Sequence, residues 1–291
     1  MLKGTYTALI TPFKGPHHEI DFDSLEMLLE NQLKHKIEGV IVLGTTGETP
    51  TLLPEEQKAL IAFVVQKLKN RMEIIVGTGT NSTRTTIHQT QIAQDMGADK
   101  ALVVTPYYNK PTQEGIYKHF EALSSETTLP LVIYNIQGRT GRNIDTDTLR
   151  LIAELPHIVG VKEASGNIEQ MMEVLATICK PSFAVLSGDD ALTLPLIALG
   201  GRGVISVVSN LMPGLVKKMV DLSLQGDFEA ARLLHFQLLP LFKGAFLESN
   251  PGPIKEAMNI AGLQAGGVRL PLCTVKNETR SKLQEILGAL L

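Results

Sequence analysis

A short run of β-branched and apolar residues, then a polar loop, then a segment of helical period: this unit recurs about eight times between Tyr6 and Asn210. The runs occupy residues 6–10, 39–43, 73–77, 101–105, 131–134, 159–162, 184–187 and 204–207. Most are apolar almost throughout rather than alternating, as parallel strands covered on both faces are. Between them, residues 21–35, 54–69, 112–125 and 146–155 carry amphipathic periodicity. The second opens on Pro54 and acids, a helix-start signal. Repetition at roughly 25–30 residues points to a (β/α)8 barrel; an open, doubly wound sheet is the competing arrangement.

After Asn210 the strands stop. Residues 212–246, 253–262 and 278–291 read as helices, the first of them completing the barrel. The expected division is a catalytic barrel over 1–226 and a C-terminal helical domain over 227–291. The run LLHFQLLPLF is apolar over a wide arc. It is expected to pack on the barrel or on a partner subunit.

The length of 291 residues suits one large α/β unit. A hydrophobic share of 44% and a net charge of -3 fit an ordinary globular enzyme. They give no footprint for nucleic acid and no polybasic patch for a membrane. No signal-peptide core and no apolar run of about 18 residues occurs. Cys179 and Cys273 form neither a framework nor a CxxC pair. A reduced, cytoplasmic setting is the expectation.

In a barrel, catalytic groups sit at the C-terminal ends of strands. Those ends carry GTTGE (44–48), TPYYN (105–109), YN followed by QGRTG (137–141), KE (162–163), SGDD (187–190) and SN (209–210). Alternation along IVGVKE places Gly160 and Lys162 on one face, and Val159, Val161 and Glu163 on the other. The glycine marks the more crowded face, the barrel interior. A lysine desolvated there loses its charge readily. Its neutral amine can attack a ketone and form a Schiff base, an electron sink suited to aldol chemistry. A structural salt bridge is the alternative reading of Lys162.

Tyr134, on the adjacent strand, can move protons if it has a partner, and Thr45 is one choice. A core aromatic and a plain loop turn are their respective alternatives. Arg139 offers a guanidinium fork for a carboxylate, unless it is a solvated loop arginine. Asp189 and Asp190 read as a possible helix cap. The seven histidines are scattered, and no ligand set for a catalytic metal is present. The glycines at 200, 201 and 203 precede the eighth strand, at the face opposite catalysis, and read as a turn.

GTTGE, TPYYNKPTQEG, YNIQGRTG, GVKEASGN, SGDD and GGRGVISV, in this order and followed by ESNPGPIK, resemble the 4-hydroxy-tetrahydrodipicolinate (dihydrodipicolinate) synthase family over essentially the whole chain. The resemblance implies a carbon–oxygen lyase of class I aldolase type that needs no cofactor. Pyruvate would form a Schiff base on Lys162 and condense with L-aspartate 4-semialdehyde, on the diaminopimelate route to lysine. Tyr134, Thr45 and Tyr108 would form the proton relay, Tyr108 entering from a neighbouring subunit. Thr45 and Thr46 would contact the pyruvate carboxylate, Arg139 would hold that of the semialdehyde, and the backbone around Gly188 and Ile205 would line the pocket. A homotetramer, built as a dimer of dimers, is implied.

Two departures stand out. Gln137 replaces the proline common in the arginine turn, which should loosen Arg139 modestly. In lysine-inhibited members a cleft at the dimer interface binds lysine. Here Asn81 and Tyr107 match that cleft and Thr49 belongs to it. However, Thr85 fills the position of its glutamate, and Pro54 and Gln57 stand where some members have histidines. Weak or absent lysine inhibition is expected. The nearest rivals are N-acetylneuraminate lyase and 2-keto-3-deoxy sugar acid aldolases, which share the lysine and tyrosine but usually lack the RTG arginine. A barrel that binds a small acid without catalysis is the remaining reading.

Overall fold

The computed structural model describes residues 2–290. Eight parallel strands close into a barrel: β1 (Gly4–Ala8), β2 (Gly39–Val42), β3 (Glu73–Gly77), β4 (Lys100–Val104), β5 (Leu131–Asn135), β6 (Ile158–Glu163), β7 (Ala184–Ser187) and β8 (Gly203–Ser206). Helices α1 (Phe22–Lys34), α2 (Pro54–Leu68), α3 (Thr83–Asp95), α4 (Gln113–Glu126), α5 (Thr146–Ala153), α6 (Ile168–Thr177), α7 (Thr193–Ala198) and α8 (Pro213–Gln225) alternate with them. Three more follow: α9 (Phe228–Gly244), α10 (Gly252–Ile260) and α11 (Asn277–Gly288).

The apolar strands make two cores because each face meets a different neighbour. Outward residues such as Val40, Ile74, Val103, Ile133 and Val161 pack under Leu29, Val64, Phe120 and Ile152 of the surrounding helices. Inward residues Tyr6, Ile41, Ile75, Leu102, Val132 and Ile205 fill the barrel. The helices begin where side chains satisfy free backbone N–H groups: Asp21 accepts from Ser24 N, Thr112 from Gly115 N, and Asn167 from Glu169 N and Gln170 N.

The first strand begins two residues earlier than its apolar run suggests. The seam pairs Gly4 with Gly203. A Cβ on Gly203 would lie 1.9 Å from the Gly4 carbonyl oxygen, so backbone proximity rather than side-chain pattern sets this start. A hairpin, Phe13–Lys14 with Glu19–Ile20, is too short to register as a periodic pattern. Helix α3 is also faint in sequence. It is rich in threonine, a poor helix former, and buries only Thr86, Thr90 and Ala93.

The C-terminal helices reach back to the barrel. Ile254, Leu238 and Leu283 share a core with Ile10, Val204 and Val216. One side of α9 is buried through His235, Leu238 and Phe242, while Leu233 and Phe236 face outward.

Candidate active site

Lys162 lies one residue from the C-terminal end of β6, with Tyr134 opposite it on β5 and Leu186 on β7. The strand's alternation turns Lys162 inward and leaves Val161 in the outer core. The side chain is 5% exposed. Its Nζ sits 4.2 Å from the centre of the Tyr134 ring and, among the described residues, takes part in no ion pair. The salt-bridge reading therefore does not describe it.

Gly188 follows β7 and lies against the lysine stem. A Cβ there would come within 3.0 Å of Lys162 Cε and Cγ. Any larger residue there would crowd the lysine stem, and Ala164 Cβ at 2.7 Å as well.

Burial drives the Lys162 pKa down to about 7; Asp190 opposes the shift and Arg139 adds to it. Contact with the tyrosine ring favours the cation, but loss of hydration outweighs it. Near neutral pH a sizeable share of the amine is unprotonated. Tyr134 moves the opposite way, up to about 12, through burial, with Arg139 pulling down. It is a neutral phenol and a proton donor at neutral pH.

A cavity of about 380 Å³ opens above these two residues. Thr45, Thr46, Thr49, Gln57, Tyr107, Arg139 and Thr140 line it with Tyr134 and Lys162, over an apolar floor of Ala8, Ile41 and Leu102. Its lining contains two basic side chains, the Arg139 cation and the Lys162 amine, and no carboxylate. A site of that charge suits ligands carrying carboxylates.

Arg139 stands at the exposed rim on one helical turn, Gln137–Thr140. Gly141 ends the turn at φ 69°, its N–H donating to Gln137 O at 2.9 Å. The Thr140 hydroxyl donates to Ile136 O at 2.9 Å. The turn thus closes without proline.

Other residues singled out in the sequence stand apart from the cavity lining. Ile205 is fully buried inside the barrel. Tyr108 is 88% exposed and is not part of this chain's own cavity lining. The Asn81 carbonyl accepts from Asn109 Nδ2 at 2.8 Å. Thr85 is exposed, and its hydroxyl donates to Ser82 Oγ at 3.0 Å. Asp189 is a cap, accepting from Ala191 N. Asp190 is instead buried, one oxygen accepting from Val207 N and Val208 N.

Three couplings among residues of the quoted motifs escaped the sequence reading. Asn250 donates from Nδ2 to Thr46 Oγ1 at 2.9 Å. The buried pair Lys255–Glu48, at 2.8 Å, ties the GTTGE loop to α10. Asp190 acts electrostatically on Lys162. GTTGE, SGDD and ESNPGPIK carry these residues, but nothing in the sequence pairs one motif with another. Among the described residues no group of three or more His, Cys, Asp or Glu gathers to hold a metal.

Residues 1–290 match the sequence profile of the Dihydrodipicolinate synthetase family. A 4-hydroxy-tetrahydrodipicolinate synthase of Protochlamydia amoebophila is 53% identical over 291 residues, covering 99% of this chain and 97% of the relative. A solved dihydrodipicolinate synthase of Acinetobacter baumannii, complexed with pyruvate, superposes with a TM-score of 0.97 at 38% identity, covering 100% and 99% of the two chains. A structure described as the first monomeric dihydrodipicolinate synthase variant gives 0.96 at 40%, covering 99% and 96%.

Proposed function

The chain belongs to the dihydrodipicolinate synthetase family, and on that premise we propose that it condenses pyruvate with L-aspartate 4-semialdehyde through a Schiff base on Lys162. The observation that carries this reading is the unpaired, buried amine of Lys162 in a cavity whose lining is cationic and free of carboxylates.

The neutral Nζ adds to the pyruvate carbonyl carbon, and water leaves as the iminium forms. The iminium draws electrons from the neighbouring methyl, which gives up a proton to become the nucleophilic carbon of an enamine. That carbon bonds to the aldehyde carbon of the semialdehyde, whose oxygen takes up a proton. The semialdehyde's own amine then displaces Lys162 from the former carbonyl carbon, closing a six-membered ring and freeing the enzyme. The organic intermediate is its own electron sink, so the steps call on no metal or cofactor.

Five further residues divide the remaining tasks. Thr45 and Thr46 hold the pyruvate carboxylate over the apolar floor. Tyr134, held neutral by burial, donates to the carbonyl oxygen and passes protons through Thr45 to Tyr108. Arg139 binds the semialdehyde carboxylate at the rim through its planar fork. Tyr108 comes from a second copy of the chain, within a tetramer assembled as a dimer of dimers. Residues 1–226 form the catalytic barrel and 227–291 a helical domain that braces it.

The sugar-acid aldolases of the same superfamily are the rival reading. Arg139 favours the synthase, because a long polyhydroxy substrate offers no second carboxylate at the rim. Turnover is to be compared on pyruvate with aspartate semialdehyde and on cleavage of N-acetylneuraminate. Turnover confined to the first pair is expected; efficient cleavage of the sugar acid would transfer the chain to the rival activity.

A further inference from the structure

We infer that Asn250 is a positioning residue for pyruvate: its side-chain amide holds the Thr46 hydroxyl so that the hydroxyl proton points at the substrate carboxylate. The inference rests on the reading of Thr46 as a pyruvate contact.

Asn250 lies between α9 and α10, 204 positions from Thr46 in the chain, yet the two side chains meet inside the protein. They are 4% and 3% exposed. Nδ2 of Asn250 donates to Thr46 Oγ1 at 2.9 Å, and Oδ1 of the same amide has no partner. A buried amide with one end unsatisfied is unfavourable, so packing alone gives no reason for this residue type. The bond itself does. A hydroxyl has one proton and can accept as well as donate. With its acceptor side occupied by Asn250, Thr46 turns its proton elsewhere. Thr46 lines the cavity, and a carboxylate bound there is the acceptor that proton meets.

The backbone of Asn250 does a second, separable thing. Its carbonyl oxygen lies 3.4 Å from Arg139 Nη2, a long hydrogen bond. One residue of the C-terminal region therefore touches the holders of both carboxylates, through the side chain for pyruvate and through the main chain for the semialdehyde. Changing the side chain should disturb the first and spare the second.

Borohydride trapping of pyruvate on the intact protein, read by mass across a pyruvate series, reports pyruvate binding without the second substrate. Asn250→Ala is expected to raise the half-saturating pyruvate about tenfold, the effect of one hydrogen bond to a charged group. Asn250→Asp, close in shape, should raise it further. A carboxylate only accepts, so it takes the Thr46 proton and sets a negative charge beside that of pyruvate. Trapping at saturating pyruvate should match the unmodified chain, and KM for the semialdehyde should stay within about twofold.

In a Thr46→Val background the Asn250→Ala change should have no further effect on half-saturation, which a merely structural role would not produce. Unchanged half-saturation in both Asn250 variants would overturn the inference, as would equal rises in pyruvate half-saturation and semialdehyde KM. If Asn250→Ala does not fold, the Asp variant decides alone. Absence of any adduct in the unmodified chain would instead sink the Schiff-base reading.

Discussion

Lys162 is an unfavourable residue for a barrel interior, and its chemistry follows from that. The folded chain lowers its pKa from 10.5 to about 7, chiefly by burial. Between those values an unfolded chain binds a proton that the folded one does not. The lysine's cost to stability is therefore full below about pH 7 and is relieved as pH rises toward 10.5. Reactivity follows the same curve, since only the free amine adds to a ketone. The rate of imine formation with limiting pyruvate should rise from acid pH with a midpoint near 7. A midpoint near 10 would mean an ordinary exposed lysine.

A second residue-scale expectation concerns Thr85. The cavity lining around Thr49, Gln57 and Tyr107 has no carboxylate, and Thr85 is engaged with Ser82 at the surface. An incoming lysine would meet no carboxylate partner for its side-chain ammonium, only the Arg139 cation at the rim. Titration with L-lysine should leave turnover unchanged up to millimolar concentration; inhibition in the micromolar range would contradict this.

At the scale of elements, β6 was legible because an apolar run, Ile158–Val161, that leads straight into a lysine is a strong anomaly with a definite face. The arginine turn was legible from RTG. Helix α3 and the 13–20 hairpin were not, because threonine-rich and two-residue segments carry little periodicity. Nor was the brace across the GTTGE loop, since its partners are more than 200 positions apart and only the closed fold brings them together.

That brace is open to measurement. Glu48 adopts a left-handed conformation, φ 57°, which bulky residues avoid. Its side chain is fully buried against Lys255, with a second oxygen accepting from Arg269 N at 2.9 Å. Burial lowers Lys255 to about 8 despite Glu48's pull. Glu48→Gln leaves a buried ammonium without its counter-charge and should cost about 3–5 kcal/mol in denaturant unfolding. Glu114→Gln, at the exposed Lys118–Glu114 pair, should leave the unfolding midpoint nearly unchanged, because solvent screens that pair. Similar losses in the two variants would mean that the Glu48 pair does not brace the loop.

At the scale of the whole molecule, the barrel was readable because parallel strands covered on both faces leave continuous apolar runs, and because eight of them leave few other closures. The assembly is a different matter. Tyr108 combines a left-handed backbone, φ 69°, with 88% exposure, an expensive pose for an aromatic unless a neighbouring chain receives it. A complementation experiment separates the two possibilities. Tyr108→Phe and Lys162→Ala proteins should each be nearly inactive. If Tyr108 acts across an interface, dissociating and re-associating them together should restore on the order of a quarter of normal turnover, as random pairing gives. No restoration would place the tyrosine's action within its own chain.

The most direct test is chemical. Borohydride is added to the protein with pyruvate alone, followed by peptide mass mapping. Reduced pyruvate should appear as a single addition on the peptide bearing Lys162, and Lys162→Ala should fold normally yet take up none. An adduct on another lysine, or none at all while the protein still consumes both substrates, would contradict the account.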